Sequence, residues 1–216
     1  MKTSETSVLR DLVDNPPMLH VWDGQSRVGG FQTYVATRLV DFVSSQLGGS
    51  QFKALETGAG LTTLIFKALG ASTVTSIDPT ENLGARIHDE AIARGIDSEG
   101  ISIIEERSEL ALPQLVANGF QCDVFLIDGA HGWPNVFVDF CYGYMCLRQG
   151  GLLLVDDIQL YSVQQLFLFL SAQPGFTCIS NSQDRKLAAF TKDTAETSVT
   201  PWESMQPFIM ENTSEE

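Results

Sequence analysis

Basic residues are scarce in this chain. Its 13 lysines and arginines face 27 aspartates and glutamates, a formal net charge of −14. A chain of that sign repels phosphate backbones, which argues against sequence-independent nucleic-acid binding. Most of the excess charge serves to keep the surface solvated. Cysteine is also sparse: Cys122, Cys141, Cys146 and Cys178 contain no CxxC pair, and all sit in apolar stretches. Buried free thiols in a reducing cytoplasm are expected, not a disulfide framework. Long apolar runs are missing too. LFLFL at Leu166–Leu170 is far short of the roughly 20 residues a bilayer span needs. The opening MKTSETSVLRDLVDN lacks the apolar core of a secretory leader. A soluble cytoplasmic protein with no membrane partner is the expectation. Internal repeats and low-complexity tracts are absent as well.

What is present is a regular alternation. The 216 residues, 44% of them apolar and 19% charged, suffice for one globular domain with a real core. Residues 1–30 are polar, broken by Asn15-Pro16-Pro17 and Gly29-Gly30, and read as an arm or lid with one short helix near Val8–Val13. Val35, Leu39, Phe42, Val43 and Leu47 then recur at helical spacing, and Gly48-Gly49 stops that helix. Strands are expected at Phe52–Thr57, Thr73–Asp78, Ile101–Glu105, Asp123–Asp128 and Leu152–Asp156. Helices are expected at Leu61–Leu69, Glu81–Arg94, Ser108–Asn118, Asn135–Leu147 and within Tyr161–Ala172. Phe176–Ser180 and Lys186–Thr191 read as a terminal antiparallel hairpin. The pattern predicts an α/β fold: a Rossmann-like, doubly wound, mostly parallel seven-stranded sheet over residues 31–192, with an acidic tail at 193–216. Trp202, Phe208 and Ile209 are that tail's only large anchors. Leu166–Leu170 suits either the core or a contact between copies of the chain.

The chemistry concentrates at strand ends. Asp128 closes the run CDVFLIDGAH with His131 three residues on, and Asp156-Asp157 close GGLLLVDDI. Ligands of open α/β sheets bind outside the carboxyl ends of the strands, so these side chains are expected to face one cleft. Three carboxylates and an imidazole there suggest a divalent cation and a proton acceptor. Each has a plainer reading: Asp157 as a helix cap, Asp128 as a hydroxyl-orienting group, His131 as a loop histidine bonded to backbone. Glu56-Thr57-Gly58-Ala59-Gly60-Leu61-Thr62 forms a glycine turn between strand and helix, and Asp78 ends the following strand. Gly58 permits the tight turn, Gly60 lets backbone approach a ligand, and a strand-end acid can accept ribose hydroxyls. Asp78 before Pro79 also reads as a turn aspartate. His20 and His88 show no comparable partners, and His88 reads as a solvated helix face.

LETGAG, VTSID, DVFLIDGAH and GGLLLVDDI, in that order, resemble the class I S-adenosylmethionine-dependent methyltransferases, over roughly residues 50–192. The resemblance implies that Gly58, Ala59, Gly60 and Thr62 lie along the methionine part of the cofactor. It also implies that Glu56 helps position that part, Asp78 holds the ribose, and Ser108 lies near the adenine. A glycine usual just before that serine is replaced here by Glu106-Arg107. The second half is similar to the metal-dependent small-molecule O-methyltransferases of the catechol and the macrocin or mycinamicin sugar types. His131 in place of lysine leans toward the sugar type. By that likeness Asp128, Asp156 and Asp157 hold Mg²⁺ or another divalent cation, Asp128 also borders the cofactor, and His131 takes the proton of a hydroxylated small-molecule acceptor. Trp133 is a candidate wall of the acceptor pocket, and the arm before Phe31 a candidate lid. A metal-independent methyltransferase, a cephalosporin-hydroxylase-like enzyme and a non-catalytic cofactor-binding module stay open as alternatives. A nucleotide-dependent dehydrogenase fits less well, because Thr62 stands where its third glycine would be.

Overall fold

The computed structural model describes residues 3–181 and 184–195. Seven strands build one sheet: β3 (Phe52–Thr57), β4 (Ala71–Ile77), β5 (Ile101–Ile104), β6 (Cys122–Ile127), β7 (Leu147–Val155), β8 (Phe176–Cys178) and β9 (Ala188–Lys192). Their order is β5-β4-β3-β6-β7-β9-β8. The first five are parallel; β9 runs antiparallel to both β7 and β8. The terminal hairpin is therefore present, with β9 inserted between β7 and β8.

Why the central strands carry near-continuous apolar runs follows from their cover. Successive side chains of a strand point to opposite faces. Val124 and Leu126 of β6 join Leu152 and Leu154 of β7 in one apolar layer, while Phe125, Ile127, Leu153 and Val155 enter the other. The first layer is closed by α1 (Thr3–Asp14), α2 (Thr33–Leu47), α3 (Leu61–Ala68) and α4 (Leu83–Ala93). The second is closed by α5 (Ser108–Ala117), α6 (Asn135–Cys146) and α7 (Tyr161–Ala172). With both faces covered, near-continuous apolar runs replace polar-apolar alternation.

Several expectations need correction. The arm is a helix of twelve residues followed by a small antiparallel pair, β1 (His20–Trp22) and β2 (Gln25–Arg27). Leu9, Leu12 and Leu19 are buried in the first apolar layer. β7 begins at Leu147, five residues before the expected start, because it pairs with Cys122 ahead of a register shift in β6. Only Cys122 and Cys146 are buried thiols; Cys141 is half-buried and Cys178 exposed. Leu166 and Leu170 are buried while Leu168 points outward. The tail anchors Trp202, Phe208 and Ile209 lie outside the described residues. No helix among the described residues is long and apolar enough to cross a membrane.

Candidate active site

From β3 the sheet is wound outward in both directions, through β4 and β5 on one side and β6 and β7 on the other. The crevice of such a fold lies at this reversal. Ladder hydrogen bonds extend one residue past each strand: Gly58 N–H donates to Ile77 O at 2.8 Å, Asp78 N–H to Ile104 O at 3.1 Å, Asp128 N–H to Thr57 O at 3.1 Å and Asp156 N–H to Ile127 O at 3.0 Å. The residues that matter chemically are thus fixed in a row along the carboxyl edge.

Two adjoining cavities open there. The larger, about 580 Å³, is lined among others by Thr57, Pro79, Ser108 and Asn135. The smaller, about 310 Å³, is lined by His20, Phe31, Thr62, His131, Asp156 and Asp157 among others. Gly58, Asp78, Asp128 and Gly129 border both. Ala59 also faces the smaller one. Every expected cofactor residue except Glu56 and Gly60 therefore lies on a cavity wall.

Glu56 works one layer down. It is fully buried, and its Oε1 accepts from the hydroxyls of Thr63 at 2.5 Å and Ser76 at 2.6 Å. Thr63 Oγ1 in turn accepts the Gly60 N–H at 3.0 Å, so the carboxyl holds the glycine turn through one intermediary. Burial raises its pKa to about 7, against the pull of the Ser76, Thr62 and Thr63 hydroxyls. Gly58 has φ 85°, and a Cβ there would sit 2.5 Å from the Asp128 carbonyl oxygen. Neither the left-handed conformation nor that approach tolerates a side chain. Asp78 Oδ1 accepts the Thr80 N–H at 2.8 Å, so it closes its turn as well as lining both cavities.

The acidic cluster is real and electrostatically crowded. Asp156 is 4% exposed. Burial first, and then Asp156, push the Asp128 carboxyl well above the ordinary range; burial and then Asp157 push Asp156 upward. Two such carboxyls in contact share a proton in preference to both ionising. Asp157 adopts φ 56° and accepts from Gln159 Nε2 at 2.6 Å. Its other oxygen lies 3.8 Å from His131 Nδ1, while His131 Nε2 lies 3.8 Å from Asp128 Oδ1. The Ser162 hydroxyl donates to the His131 carbonyl and anchors that loop to α7. His131 Nε2 is buried with no hydrogen-bond partner, and burial lowers the ring's pKa, with Asp157 partly restoring it. The lowered pKa favours the neutral imidazole, with Asp157 beside Nδ1 and a buried, unpaired Nε2.

The three carboxylates share a wall but are not a ready-made metal site. Among the described residues no three His, Cys, Asp or Glu side chains are disposed to hold a metal ion. Asp128 pairs with Asp156, and Asp157 is drawn toward His131 and Gln159. The donors are hard oxygens, and Asp156 Oδ1 is a buried orphan, so the set suits a hard cation in kind but not in disposition.

A family model for a methyltransferase domain matches residues 55–158, which hold the glycine turn, Asp78, Ser108, Asp128, His131 and the aspartate pair. No curated protein matches the sequence. Among solved structures, the O-methyltransferase TomG from Streptomyces achromogenes, involved in tomaymycin synthesis and solved with S-adenosylmethionine, is 13% identical, covering 90% of this chain and 91% of that one, TM-score 0.62. A candidate caffeoyl-CoA O-methyltransferase from Staphylococcus aureus is 17% identical, covering 89% and 93%, TM-score 0.60. A candidate S-adenosylmethionine-dependent methyltransferase from Streptococcus mutans is 12% identical, TM-score 0.56; the match covers 70% of this chain and only 48% of that one. At these identities the structures speak to fold, and the family model speaks to the domain. That model spans just under half of the chain.

One wall of the site had no signal in the sequence. His20 comes from the arm, and its Nε2 would sit 3.0 Å from a Cβ on Gly60. Arg86 Nε of α4 donates to Leu19 O at 2.7 Å and pins the segment there. Burial lowers the His20 pKa, Asp78 opposes this, and Arg86 adds to it. Trp133 is the converse: 74% exposed, edge-on to Phe137 at 5.3 Å and absent from both cavity walls.

Proposed function

We propose that this chain is an S-adenosylmethionine-dependent O-methyltransferase acting on a hydroxyl of a small molecule, a sugar or natural-product scaffold. The observation that carries the reading is His131 Nε2: a buried, partnerless, neutral acceptor in the cavity that also contains the glycine turn. When bound, the cofactor supplies an electrophilic methyl group on a sulfonium. The glycine turn, Asp78 and Ser108 hold it along the strand ends. His131 accepts the acceptor hydroxyl's proton at Nε2 while Asp157 steadies Nδ1–H. The arm, through His20 and Phe31, shields the smaller cavity from bulk water. Alignment and water exclusion supply most of the acceleration, because charge is neutralised as the methyl moves.

Asp128, Asp156 and Asp157 are the residues that would hold a divalent cation, which would acidify the acceptor hydroxyl. The orphaned Asp156 Oδ1 favours such a cation. The disposition of the carboxylates, with Asp157 drawn toward Gln159 and His131, favours a second reading, transfer without metal. His131 serves as base in both.

Calorimetry is expected to show binding of S-adenosylmethionine; no binding would defeat both readings. His131→Ala is expected to bind the cofactor as wild type does and to lose turnover by about 10²–10⁴-fold, the usual worth of a general base. Full turnover would remove His131 from the mechanism. Methyl transfer scored over sugars, catechols and glycosides identifies the acceptor class.

A further inference from the structure

Asp157 owes its place to chain segments far from it in sequence. Its φ of 56° lies in the left-handed region, uncommon for any residue but glycine. Such a conformation lasts where the surroundings fix it. On one side Asp156 N–H donates to Ile127 O of β6 at 3.0 Å. On the other, Ile158 N–H donates at 3.0 Å to Lys186 O, just before β9, and Leu160 N–H closes the turn on Asp157 O at 2.8 Å. The last ladder pair below the Ile158–Lys186 bond is Val155 with Ala188. Asp156 and Asp157 therefore stand together opposite the single residue Leu187. Two residues against one is the arrangement of a β-bulge, a device that re-aims side chains next to a site.

Two residues before Lys186 lies an ion pair absent from both cavity walls. Asp184, 5% exposed, takes the fork of Arg38 of α2: Nε donates to Oδ1 at 2.7 Å and Nη2 to Oδ2 at 3.2 Å. Asp184 Oδ2 also accepts Asn181 N–H at 2.9 Å. Arg38 is braced on its own helix by Asp41 Oδ2 at 3.0 Å and by the Phe42 ring at 4.6 Å. A guanidinium and a carboxylate bonded at two points fix direction as well as distance. We infer that Arg38 and Asp184 are positioning residues for Asp157: their fork sets the approach to β9, the Lys186 carbonyl on that approach holds Ile158, and the bulge between presents Asp157 to His131. The fully buried Leu187 keeps the approach in register with the sheet. The inference rests on the methyltransferase reading for what Asp157 and His131 do, and adds to it two residues that touch neither.

The test reads His131 directly, by NMR of the imidazole nitrogens of the full chain at fixed pH. His131→Gln assigns its signals among those of the three histidines. Asp157→Asn is expected to shift the His131 signals. Asp184→Asn and Arg38→Gln are expected to shift them in the same direction. Asp184→Asn added to Asp157→Asn is expected to shift them no further, because the ion pair acts only through Asp157. A lower melting temperature with the His131 signals at their wild-type positions would mark the ion pair as a clamp for stability alone and overturn the inference. Additive shifts in the double variant, or no shift in Asp157→Asn, are equally fatal. Should Asp184→Asn not fold, Arg38→Gln, changed at a half-buried position, carries the same comparison. Calorimetry of wild type with S-adenosylmethionine separates the two readings. No binding defeats the methyltransferase reading and this inference together; binding, with His131 signals that ignore Arg38 and Asp184, defeats this inference alone.

Discussion

Glu56 illustrates how a single residue answers to two demands. The sequence placed it in the acid-x-Gly-x-Gly pattern, and the fold buries it beneath the turn with Oε1 held and Oε2 unpaired. Its folded pKa of about 7 lies above the unfolded value. A raised acid pKa means the folded state binds the proton more tightly. Stability is therefore unaffected below the unfolded pKa and falls as pH climbs from there toward about 7. Glu56→Gln stays neutral throughout. Thermal melts are expected to show the variant gaining on wild type between pH 5 and pH 8; parallel curves would mean that Glu56 is ionised at little cost. His131 runs the other way. Its lowered pKa keeps it a proton acceptor below pH 6.5, so turnover is expected to persist to lower pH than a solvated histidine would allow. The sequence named both residues because their neighbours in the chain form short motifs. It gave His20 no partner, because Gly60, which it approaches, and Arg86, which pins the neighbouring Leu19, are distant in the chain.

At the scale of the element, close packing between helix and sheet decides where the site residues stand. α6 carries Asp139 and lies against β6 so tightly that a Cβ on Gly143 would fall 1.9 Å from Phe125 Cε1. Phe125 is itself fully buried and has nowhere to go. Gly143→Ala is expected to destabilise the protein by about 2–3 kcal/mol despite the better helix propensity of alanine. Urea unfolding with a lowered midpoint and an unchanged slope checks it; wild-type stability would mean that the helix stands further off. Helix and strand identity in this half were legible because buried runs, glycine turns and spacing are local signals. The β1–β2 pair was not, since three-residue strands carry almost no periodicity. The early start of β7 was not either, because a register shift in β6 set it.

For the whole molecule the question is how one edge of the sheet collects ligands from a chain of −14 net charge. If a divalent cation neutralises the cluster, it binds the folded state alone and stabilises it globally, by about 2.7 kcal/mol at a hundredfold excess over Kd. Magnesium is then expected to raise the melting temperature of wild type but not of an Asp156→Asn/Asp157→Asn double variant; an equal rise in both would place the cation elsewhere. By itself the sequence determined the layer architecture, the parallel strands and the row of acids and glycines at their ends. Those follow from side-chain periodicity and backbone freedom over a few neighbouring residues. Only the tertiary structure decided that His20 lines the smaller cavity, that Trp133 faces solvent, and that Asp139 of α6 is buried. Each of these depends on which side chain meets which across the sheet. Burial, orphaned hydrogen bonds and shifted protonation arise from that meeting alone, and they are what turn a row of acids into a site.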